Sequence, residues 1–379
     1  NILKPDKEET KMLEKITDIG KIEKIEKIEK IEKKVLAGER LTQEDGVRLM
    51  RSTDILGLGH LSDIVRKKMV GDNAYFNCNL NINYTNICVC RCPLCAFSRN
   101  PNAEDAYLLS LKEIEERVKA VNRMGVHEVH IVGGLHPDLP FSYLEEMLQM
   151  IKGIDSNIFI QAFTATEIDY FADISGISLE QALSRLKNAG LSSIPGGGAE
   201  IFSPRVRQII APKKIPGVRW LKVMETAHNL GLHSNATMLY GHVETPEERV
   251  EHIIAIREIQ DKTSGFLSFV PLAFHPGNTN LQDCKGTDGI DDLRTFAVSR
   301  LLLDNITHIK GLWMYLGEKL AEVALCFGVD DLGGTGIDEK IVHAAGATTP
   351  TQTSQELLRR VIKNADRCPK KVNSIYEDV

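Results

Sequence analysis

Three cysteines on one short loop are the residues whose type and spacing most clearly indicate chemistry. Cys88, Cys92 and Cys95 form a C-x3-C-x2-C pattern directly after the apolar, strand-like run Phe76 to Ile87. Thiolates are soft ligands that suit iron–sulfur clusters. Three thiolates hold three irons of a [4Fe–4S] cube and leave the fourth iron without a protein ligand. The spacing therefore predicts a cluster that binds a substrate at its open iron.

Structural zinc and a disulfide scaffold are the alternative interpretations of these cysteines. Structural zinc sites usually combine one ligand pair with a second pair of Cys or His further on, and no second pair stands out in the sequence. Disulfide scaffolds belong to short, cysteine-dense secreted chains, whereas this chain has 379 residues and 8 cysteines. Cys90, between the predicted ligands, is interpreted as a packed or solvent-facing thiol that does not bind iron.

The composition excludes several classes of function. The chain is 42% hydrophobic and 26% charged, with a net charge of −6, and its length suits one large domain with extensions or two domains. The mild acidity argues against nucleic-acid binding, and no apolar run approaches the ~20 residues of a membrane span. No signal-peptide pattern is present, although Asn1 stands where Met is expected. We expect a cytoplasmic protein, because a thiolate cluster needs a reducing compartment.

Residues 1–74 are interpreted as a helical extension. Lys21 to Lys34 reads KIEKIEKIEKIEKK, and Ile at every third position drifts around a 3.6-residue helix without forming a stable stripe. A partner-binding helix is the functional alternative to the solvated, partly helical extension that we favour. Thr42, with Asp45 three residues later, predicts a capped helix start, and a further helix is predicted at Leu61 to Met69.

From residue 75 onward, short apolar runs alternate with longer amphipathic runs. The predicted strands are Phe76–Asn86, Glu128–Val132, Ile158–Phe163, Ser192–Ile194, Ser234–Leu239, Phe266–Ala273, Ile309–Tyr315 and Asp331–Ile337. The predicted helices are Leu111–Met124, Tyr143–Ile151, Leu179–Ala189, Val218–Leu230, Pro246–Gln260, Asp291–Leu303, Glu318–Phe327 and Gln352–Ala365. This alternation predicts a parallel sheet, and eight repeats fit a (β/α)8 TIM-type barrel over residues 75–346, with residues 347–379 as a C-terminal helix and tail. A partial six-unit barrel with a C-terminal appendage is the alternative.

In such a barrel ligands bind at the C-terminal ends of the strands, and two of these ends carry glycines. Gly133 and Gly134 follow the second predicted strand, and Gly197 and Gly198 with Glu200 follow the fourth. Backbone without side chains lets a ligand approach closely, so these five residues are predicted to bind a cofactor. The alternatives are an ordinary tight turn for the glycines and a helix N-terminal charge for Glu200.

Polar side chains near the same strand ends are candidates for contact with a substrate. His136, His242 and His275 are predicted as catalytic residues and Asn235 as a further cofactor-binding residue. Glu167 follows the third predicted strand, where it would face the barrel mouth and orient a substrate. The alternative for each residue is a structural group at a strand end whose hydrogen bonds are satisfied by its neighbours.

The cysteine spacing resembles the signature of the radical S-adenosylmethionine (SAM) enzymes, and further segments resemble the aminofutalosine synthase family within that class. These segments are HIVGGLHPDLPF, AFTATEIDYFA, SIPGGGAEIF, SNATMLYGH, PLAFHPGNT, DDLRTFAVSRLLLDN and HAAGA. The resemblance covers roughly Phe76 to Gly346. The stretch Ala162 to Ile168 favours this family over its sisters, dehypoxanthine futalosine cyclase and the radical subunit of the deazaflavin F420 precursor synthase, which look more like a Ser-Pro-containing version.

The resemblance implies a [4Fe–4S] cluster on Cys88, Cys92 and Cys95 with SAM on its open iron, and a glycine motif, here Gly133-Gly134, that holds the SAM amino group. It implies addition of a 5′-deoxyadenosyl radical to 3-[(1-carboxyvinyl)oxy]benzoate, which gives 6-amino-6-deoxyfutalosine for menaquinone biosynthesis. A one-electron reductant of the flavodoxin or ferredoxin type is the implied partner. Cyclase chemistry that releases 5′-deoxyadenosine and a non-catalytic iron–sulfur electron carrier are the alternatives. A bulky residue at Gly134 is expected to weaken SAM binding and leave the iron content unchanged.

Overall fold

Short strands alternate with helices through residues 29–379, the part of the chain that the computed structural model describes. The strands are β1 (Asn73–Asn77), β2 (Leu80–Ile82), β3 (Glu128–Ile131), β4 (Phe159–Ala162), β5 (Ser193–Ile194), β6 (His233–Tyr240), β7 (Phe266–Ala273), β8 (His308–Ile309), β9 (Asp331–Gly334) and β10 (Cys368–Lys371). The helices are α1 (29–37 as described), α2 (Gln43–Met50), α3 (Ile55–Val70), α4 (Leu111–Asn122), α5 (Phe141–Ile154), α6 (Ala165–Ile174), α7 (Leu179–Ala189), α8 (Pro204–Ile210), α9 (Gly217–Asn229), α10 (Pro246–Thr263), α11 (Gly289–Leu302), α12 (Trp313–Leu316), α13 (Glu318–Ala324), α14 (Ile341–Ala344) and α15 (Gln355–Asn364).

Eight parallel strands, β2 to β9, form a ring. Strands β2 to β8 pair in chain order in one parallel sheet. A bridge from Lys310 to Asp331 joins the end of β8 to β9, and a bridge from Leu80 to Ile337 joins β2 to the segment after β9. The ring is the predicted (β/α)8 barrel, and a six-unit barrel does not describe it.

Local sequence signals account for where many barrel helices begin. Capping boxes, in which the first and fourth residues of the motif exchange hydrogen bonds, start α4, α7 and α10. The predicted box of Thr42 and Asp45 starts α2, with Asp45 N donating to Thr42 Oγ1 at 3.2 Å. These helices place their apolar faces on the barrel, where the buried core lies.

Two parts of the sequence prediction are corrected by the structure. The predicted strand Ile309 to Tyr315 is wrong beyond Ile309, because Trp313–Leu316 is helix α12 and the buried Trp313 donates from Nε1 to Gly334 O at 2.8 Å. An apolar run of this length does not distinguish strand from helix. The first predicted strand, Phe76–Asn86, is two shorter strands, β1 and β2. Helices α6 and α8 were not among the predicted helices.

The two ends of the described chain pack onto the barrel. Arg257 of α10 donates to Leu41 O at 2.9 Å, which holds the N-terminal helices against the helical ring. Strand β10 pairs in parallel with β1, a strand that the sequence did not predict. The division into residues 1–74, 75–346 and 347–379 stays a prediction, and residues 21–28 of the KIE repeat lie outside the described range. No described helix is long and apolar enough to cross a membrane.

Candidate active site

A cavity of about 370 Å³ lies inside the barrel and collects most of the predicted site residues. Its mouth, defined here as the loops at the C-terminal strand ends, contains the cysteine loop and both glycine loops. Its floor, defined here as Asn77, Glu128 and Ser374, lies toward the N-terminal strand ends. The predicted residues that line the cavity are Cys88, Cys92, Cys95, Gly133, Gly134, Glu167, Gly197, Gly198, Glu200 and Asn235.

The cysteine loop is held in place by backbone hydrogen bonds from both sides. Cys88 N donates to Arg99 O at 3.1 Å, and Val89 N donates to Leu135 O at 3.0 Å. The guanidinium of Arg99, which is partly exposed, donates back to Ala96 O at 2.7 Å, so this arginine helps to fold the loop. Arg91 has φ 45°, a left-handed conformation that non-glycine residues adopt rarely. The backbone of the loop is therefore positioned by contacts within the protein itself.

Cys90 lies between two of the predicted ligands, and its thiol contacts those of Cys88 and Cys92. A hydrogen bond from the Cys90 thiol lowers the pKa of Cys88 to about 5 and also lowers the pKa of Cys92. The same two contacts raise the pKa of Cys90 itself. Cys90 is only 5% exposed and also lies 3.3 Å from Lys213 O, which matches a packed thiol.

This donor set fits an iron–sulfur cluster better than a single ion. In the described part of the chain, no three His, Cys, Asp or Glu side chains are grouped as a single metal ion requires. A cubane presents its irons at separate corners, so its three thiolates need not converge on one point. Cys88, Cys92 and Cys95 face one cavity as potential thiolates, which is the donor chemistry of such a cluster.

The strand end at Gly133-Gly134 packs directly beneath the cysteine loop. A Cβ on Gly134 would lie 2.2 Å from Ile87 O and 3.1 Å from Cys88 Cβ, and a Cβ on Gly133 would lie 2.6 Å from Tyr84 Cε1. A side chain at Gly134 must therefore displace the backbone of the cysteine loop. We therefore now expect a bulky residue at Gly134 to lower the iron content as well as to weaken SAM binding.

Glu167 links the stretch AFTATEI to this glycine strand end. Its carboxylate accepts hydrogen bonds from Gly133 N at 3.0 Å and Tyr84 OH at 2.9 Å. Its other oxygen completes a capping box with Thr164 at the start of α6. Burial raises the pKa of Glu167 to about 7 against the lowering effect of these hydrogen bonds. The side chain is 1% exposed, so its geometry supports the glycine backbone.

The second glycine loop, Pro195 to Glu200, is shaped by close backbone contacts. A Cβ on Gly196 would lie 2.7 Å from the carbonyl carbon of Ala236, and Gly198 and Glu200 have φ values of 83° and 49°. Burial acts to raise the pKa of Glu200, but the ammonium of Lys214, which it contacts, outweighs burial and lowers that pKa. Glu200 precedes α8 by several residues, so it is not an N-terminal charge of that helix.

The three predicted catalytic histidines lie outside the cavity, whereas Asn235 lines it. His136, His242 and His275 do not line the cavity. His242 Nε2 bonds Leu239 O at 3.0 Å, His275 Nε2 bonds Tyr315 O at 3.2 Å, and His136 Nδ1 accepts from Asp138 N at 3.2 Å. Asn235 lines the cavity but lies near the start of β6, where its Oδ1 accepts from Ser268 Oγ at 2.8 Å.

Sequence reasoning missed the polar interior of the barrel. Four asparagines alternate along the first strands and line the cavity, together with side chains from other strands: Asn77, Asn79, Asn81, Asn83, Glu128, His130, Gln161, Lys310 and Ser374. The signal was present in FNCNLNINYTN, because every second residue of a strand faces the same side. Two polar atoms on the cavity wall, Asn83 Oδ1 and Thr166 Oγ1, are buried without a hydrogen-bond partner.

Comparisons with known proteins agree with this architecture. Residues 82–256 match the family model described as the radical SAM superfamily, and residues 263–379 match that of the CofH/MqnC C-terminal region. The fold is similar to that of the FeFe-hydrogenase maturase HydG from Carboxydothermus hydrogenoformans, with a TM-score of 0.73, 18% identity and coverage of 97% of this chain and 84% of that chain.

Two groups of curated relatives are similar at nearly the same level. Aminodeoxyfutalosine synthase from Thermus thermophilus is 42% identical over 92% of this chain and 94% of its own length. The 5-amino-6-(D-ribitylamino)uracil–L-tyrosine 4-hydroxyphenyl transferase 1 from Methanosarcina barkeri is 41% identical over 89% of this chain and 90% of its own length. The chain belongs to the radical SAM superfamily. Its chemistry is therefore that of a radical SAM enzyme, which uses a [4Fe–4S] cluster and SAM.

Proposed function

We propose that this chain is an aminofutalosine synthase. It joins the 5′-deoxyadenosyl part of SAM to 3-[(1-carboxyvinyl)oxy]benzoate and forms 6-amino-6-deoxyfutalosine for menaquinone biosynthesis, with loss of a carboxylate carbon. The observation that carries the proposal is the capping box of Thr164 and Glu167. It belongs to the stretch that resembles the synthase family, and its carboxylate holds Gly133 N at the cavity wall. The two synthase relatives, at 42% and 41% identity over 92% and 91% of the chain, support it.

Within this proposal, Cys88, Cys92 and Cys95 hold the cluster. When bound, the cluster and SAM supply the 5′-deoxyadenosyl radical that the reaction needs. The pKa of Cys88 is lowered to about 5 and the pKa of Cys92 is also lowered, and a lower pKa favours the thiolate form that binds iron.

The glycine loops and Glu200 form the SAM side of the cavity in this proposal. Gly133 and Gly134 bring backbone against the cysteine loop, and Gly197 and Gly198 offer backbone groups on the facing wall. Glu200, an anion paired with Lys214, offers a carboxylate oxygen to hydroxyl or ammonium groups. Asn235, predicted from the sequence to bind the cofactor, lies near the start of β6, and this depth favours contact with a substrate that extends away from the mouth over contact with SAM.

We assign positioning roles to the three histidines. His242 lies between Leu239 O and Glu244, at the turn that follows β6. His275 ties the end of β7 to α12 through Tyr315 O. His136 shapes the turn after the Gly133-Gly134 strand end through Asp138 N. Each side chain would act on the cavity through the loop that it holds at the mouth.

A tyrosine-dependent transfer is the second candidate function. The Methanosarcina barkeri transferase is nearly as similar as the synthases, and the matched C-terminal family carries the CofH name. The name of the transferase indicates a reaction that joins 5-amino-6-(D-ribitylamino)uracil to the hydroxyphenyl group of L-tyrosine. The two functions therefore differ in their substrates.

A substrate-choice assay tests the proposed function. Reduced, cluster-loaded protein is incubated with SAM and either the enolpyruvyl benzoate or L-tyrosine plus 5-amino-6-(D-ribitylamino)uracil, with a flavodoxin or ferredoxin as the proposed reductant. We expect a new adenine-bearing product, detected by mass, only with the benzoate. Product formed only from L-tyrosine plus 5-amino-6-(D-ribitylamino)uracil would contradict the synthase function and favour the transferase. SAM binding without turnover of any of these substrates would favour an electron carrier.

A further inference from the structure

Six positions on strands β2 to β7 of the barrel carry polar side chains. Strand register places Asn81 opposite His130, His130 opposite Gln161, and Gln161 opposite Ser193. On the other side of the ring, Asn235 lies opposite Ser268. We call these six residues the polar layer. Barrels of this type normally fill such a level with Val, Ile and Leu, so the polar layer requires an explanation.

The hydrogen bonds inside the polar layer leave several groups free. Gln161 Nε2 donates to Ser193 Oγ at 3.1 Å and Ser268 Oγ donates to Asn235 Oδ1 at 2.8 Å. Asn81 Oδ1 accepts from Asn79 Nδ2 at 3.3 Å. These bonds use the oxygens of Asn81 and Asn235, and their Nδ2 groups donate to no residue that the structure describes. The layer therefore presents unused N–H donors to the cavity that it lines.

His130 is the central residue of this layer. It lines the cavity, and neither ring nitrogen bonds a described residue; only burial and the positive charge of Lys310 act on its pKa, which they lower to about 4. His130 is therefore neutral at pH 7 and carries one ring N–H and one acceptor nitrogen. His130 is partly exposed to the cavity, so its ring nitrogens are accessible to a polar group of a ligand that enters the cavity.

Charge and shape around the layer define the ligand. Lys310 is paired with Asp331 at 2.9 Å and is the cation near His130. Glu128, the nearby floor carboxylate, is already bound to Asn77 and Ser374, and burial raises its pKa to about 7. The same cavity has an apolar wall from β7 and the segment after β8, formed by Val270, Leu272, Leu312 and Met314. Unused N–H donors beside an apolar wall suit a carboxylate attached to a flat hydrocarbon ring.

We propose that the polar layer is the subsite for the ring carboxylate of an aromatic acid substrate, with the N–H groups of His130, Asn81 and Asn235 as its donors. The inference rests on the proposed synthase function and goes beyond it, because it fixes which end of the substrate lies deep in the barrel. The aromatic ring lies against the apolar wall. The enol-ether end then points to the mouth, where the cysteine and glycine loops lie.

The test pairs a change in the protein with a change in the substrate. His130→Leu removes both ring nitrogens and places at this level the residue type that such barrels normally carry, so folding is retained. His127→Leu is the matched control, since it makes the same substitution on the residue before β3, where the side chain is 55% exposed and outside the cavity. Each protein is assayed with the enolpyruvyl benzoate and with its methyl ester at the ring carboxyl.

We expect His130→Leu to raise KM for the acid about ten- to a hundredfold, and to bind the ester as the wild type does. His127→Leu should match the wild type on both substrates. Iron content, the spectral change on SAM addition and the slow SAM cleavage without substrate should be the same in all three proteins. These readouts separate a substrate subsite from a general loss of structure.

Three outcomes overturn the subsite. The first is an unchanged KM for the acid in His130→Leu, and the second is an equal loss for acid and ester. The third is a loss of SAM binding in the variant, which would assign the layer to SAM. Failure of the proposed function looks different, because the wild-type chain would then form no adenine-bearing product from the acid, and the subsite would fall with it.

Discussion

The mouth and the interior of the cavity are built in opposite ways. At the mouth, contiguous loops contribute thiols and backbone groups, and residues close in sequence act together, as in Cys88 to Cys95 and Pro195 to Glu200. In the interior, single side chains come from strands far apart in sequence. Asn77, Glu128 and Ser374 meet at the floor although 51 and 246 residues separate Glu128 from its two partners. The mouth is suited to chemistry shared by the superfamily, and the interior to one substrate.

Removal of a cluster ligand is expected to have the largest effect and tests the role of the mouth. Cys92→Ala deletes one of three predicted thiolate ligands, so we expect loss of nearly all cluster iron and of all turnover. Iron and sulfide analysis after anaerobic reconstitution measures the loss of the cluster. Cys90→Ala is the matched control: it removes a thiol from the same loop that is packed beside Cys88 and Cys92, and its iron content should be that of the wild type. A cluster that survives in Cys92→Ala, or is lost in Cys90→Ala, contradicts the ligand assignment.

A side chain at the glycine strand end is expected to have the next largest effect. Gly134→Ala places a Cβ 2.2 Å from Ile87 O, so the cysteine loop must move, and both iron content and SAM binding should fall. Gly153→Ala is the control, because nothing lies within 4 Å of a Cβ at that position in α5. Metal analysis and spectral titration with SAM measure the two effects. Full iron content in Gly134→Ala would mean that a side chain at this strand end does not displace the cysteine loop.

A smaller effect, on stability, is expected at the floor. Burial raises the pKa of Glu128 to about 7, so the folded chain binds this proton more tightly than the unfolded chain does. The stabilisation is therefore fully present below the unfolded pKa of about 4.3 and is lost as pH rises through about 7, a change on the order of 3 kcal/mol. Glu128→Gln removes this titration, and its thermal midpoint should fall less between about pH 5 and about pH 8 than that of the wild type.

The control for this prediction is Glu116→Gln, which changes an exposed glutamate on α4. Its midpoint should show the same pH dependence as the wild type when both are heated anaerobically with the cluster in place. If the thermal midpoints of Glu128→Gln and the wild type change equally with pH, the floor carboxylate does not titrate in this range. The proposed electrostatic difference between floor and mouth is then contradicted.

The same contrast explains how much could be predicted from the sequence. The barrel could be predicted from the sequence because alternating β and α runs define the fold. The mouth could be predicted because Cys88, Cys92 and Cys95 lie on one short segment, and the glycines of each pair are neighbours in the chain. Helix α6 was not predicted, although Thr164 and Glu167 carried a capping-box signal.

The interior was hidden for a physical reason. Glu128 and Ser374 meet only because β10 pairs with β1 and brings the C-terminal segment under the barrel, and no local pattern encodes that pairing. The alternating asparagines of β1 and β2 were a usable signal, since period two indicates one face of a strand. His242 and His275 show the opposite case, because proximity to a strand end did not place either side chain on the cavity wall.

The fate of the SAM adenine tests the central claim most directly. Reduced, cluster-loaded protein is given SAM labelled in the adenine ring together with the enolpyruvyl benzoate. The labelled products are separated, and their molecular masses are measured by mass spectrometry. We predict that the label enters a product heavier than 5′-deoxyadenosine, in step with substrate consumed and with carbon dioxide or bicarbonate released. If 5′-deoxyadenosine instead forms one-for-one with substrate loss and no adenine-bearing adduct appears, the synthase account is contradicted and a hydrogen-abstracting enzyme takes its place.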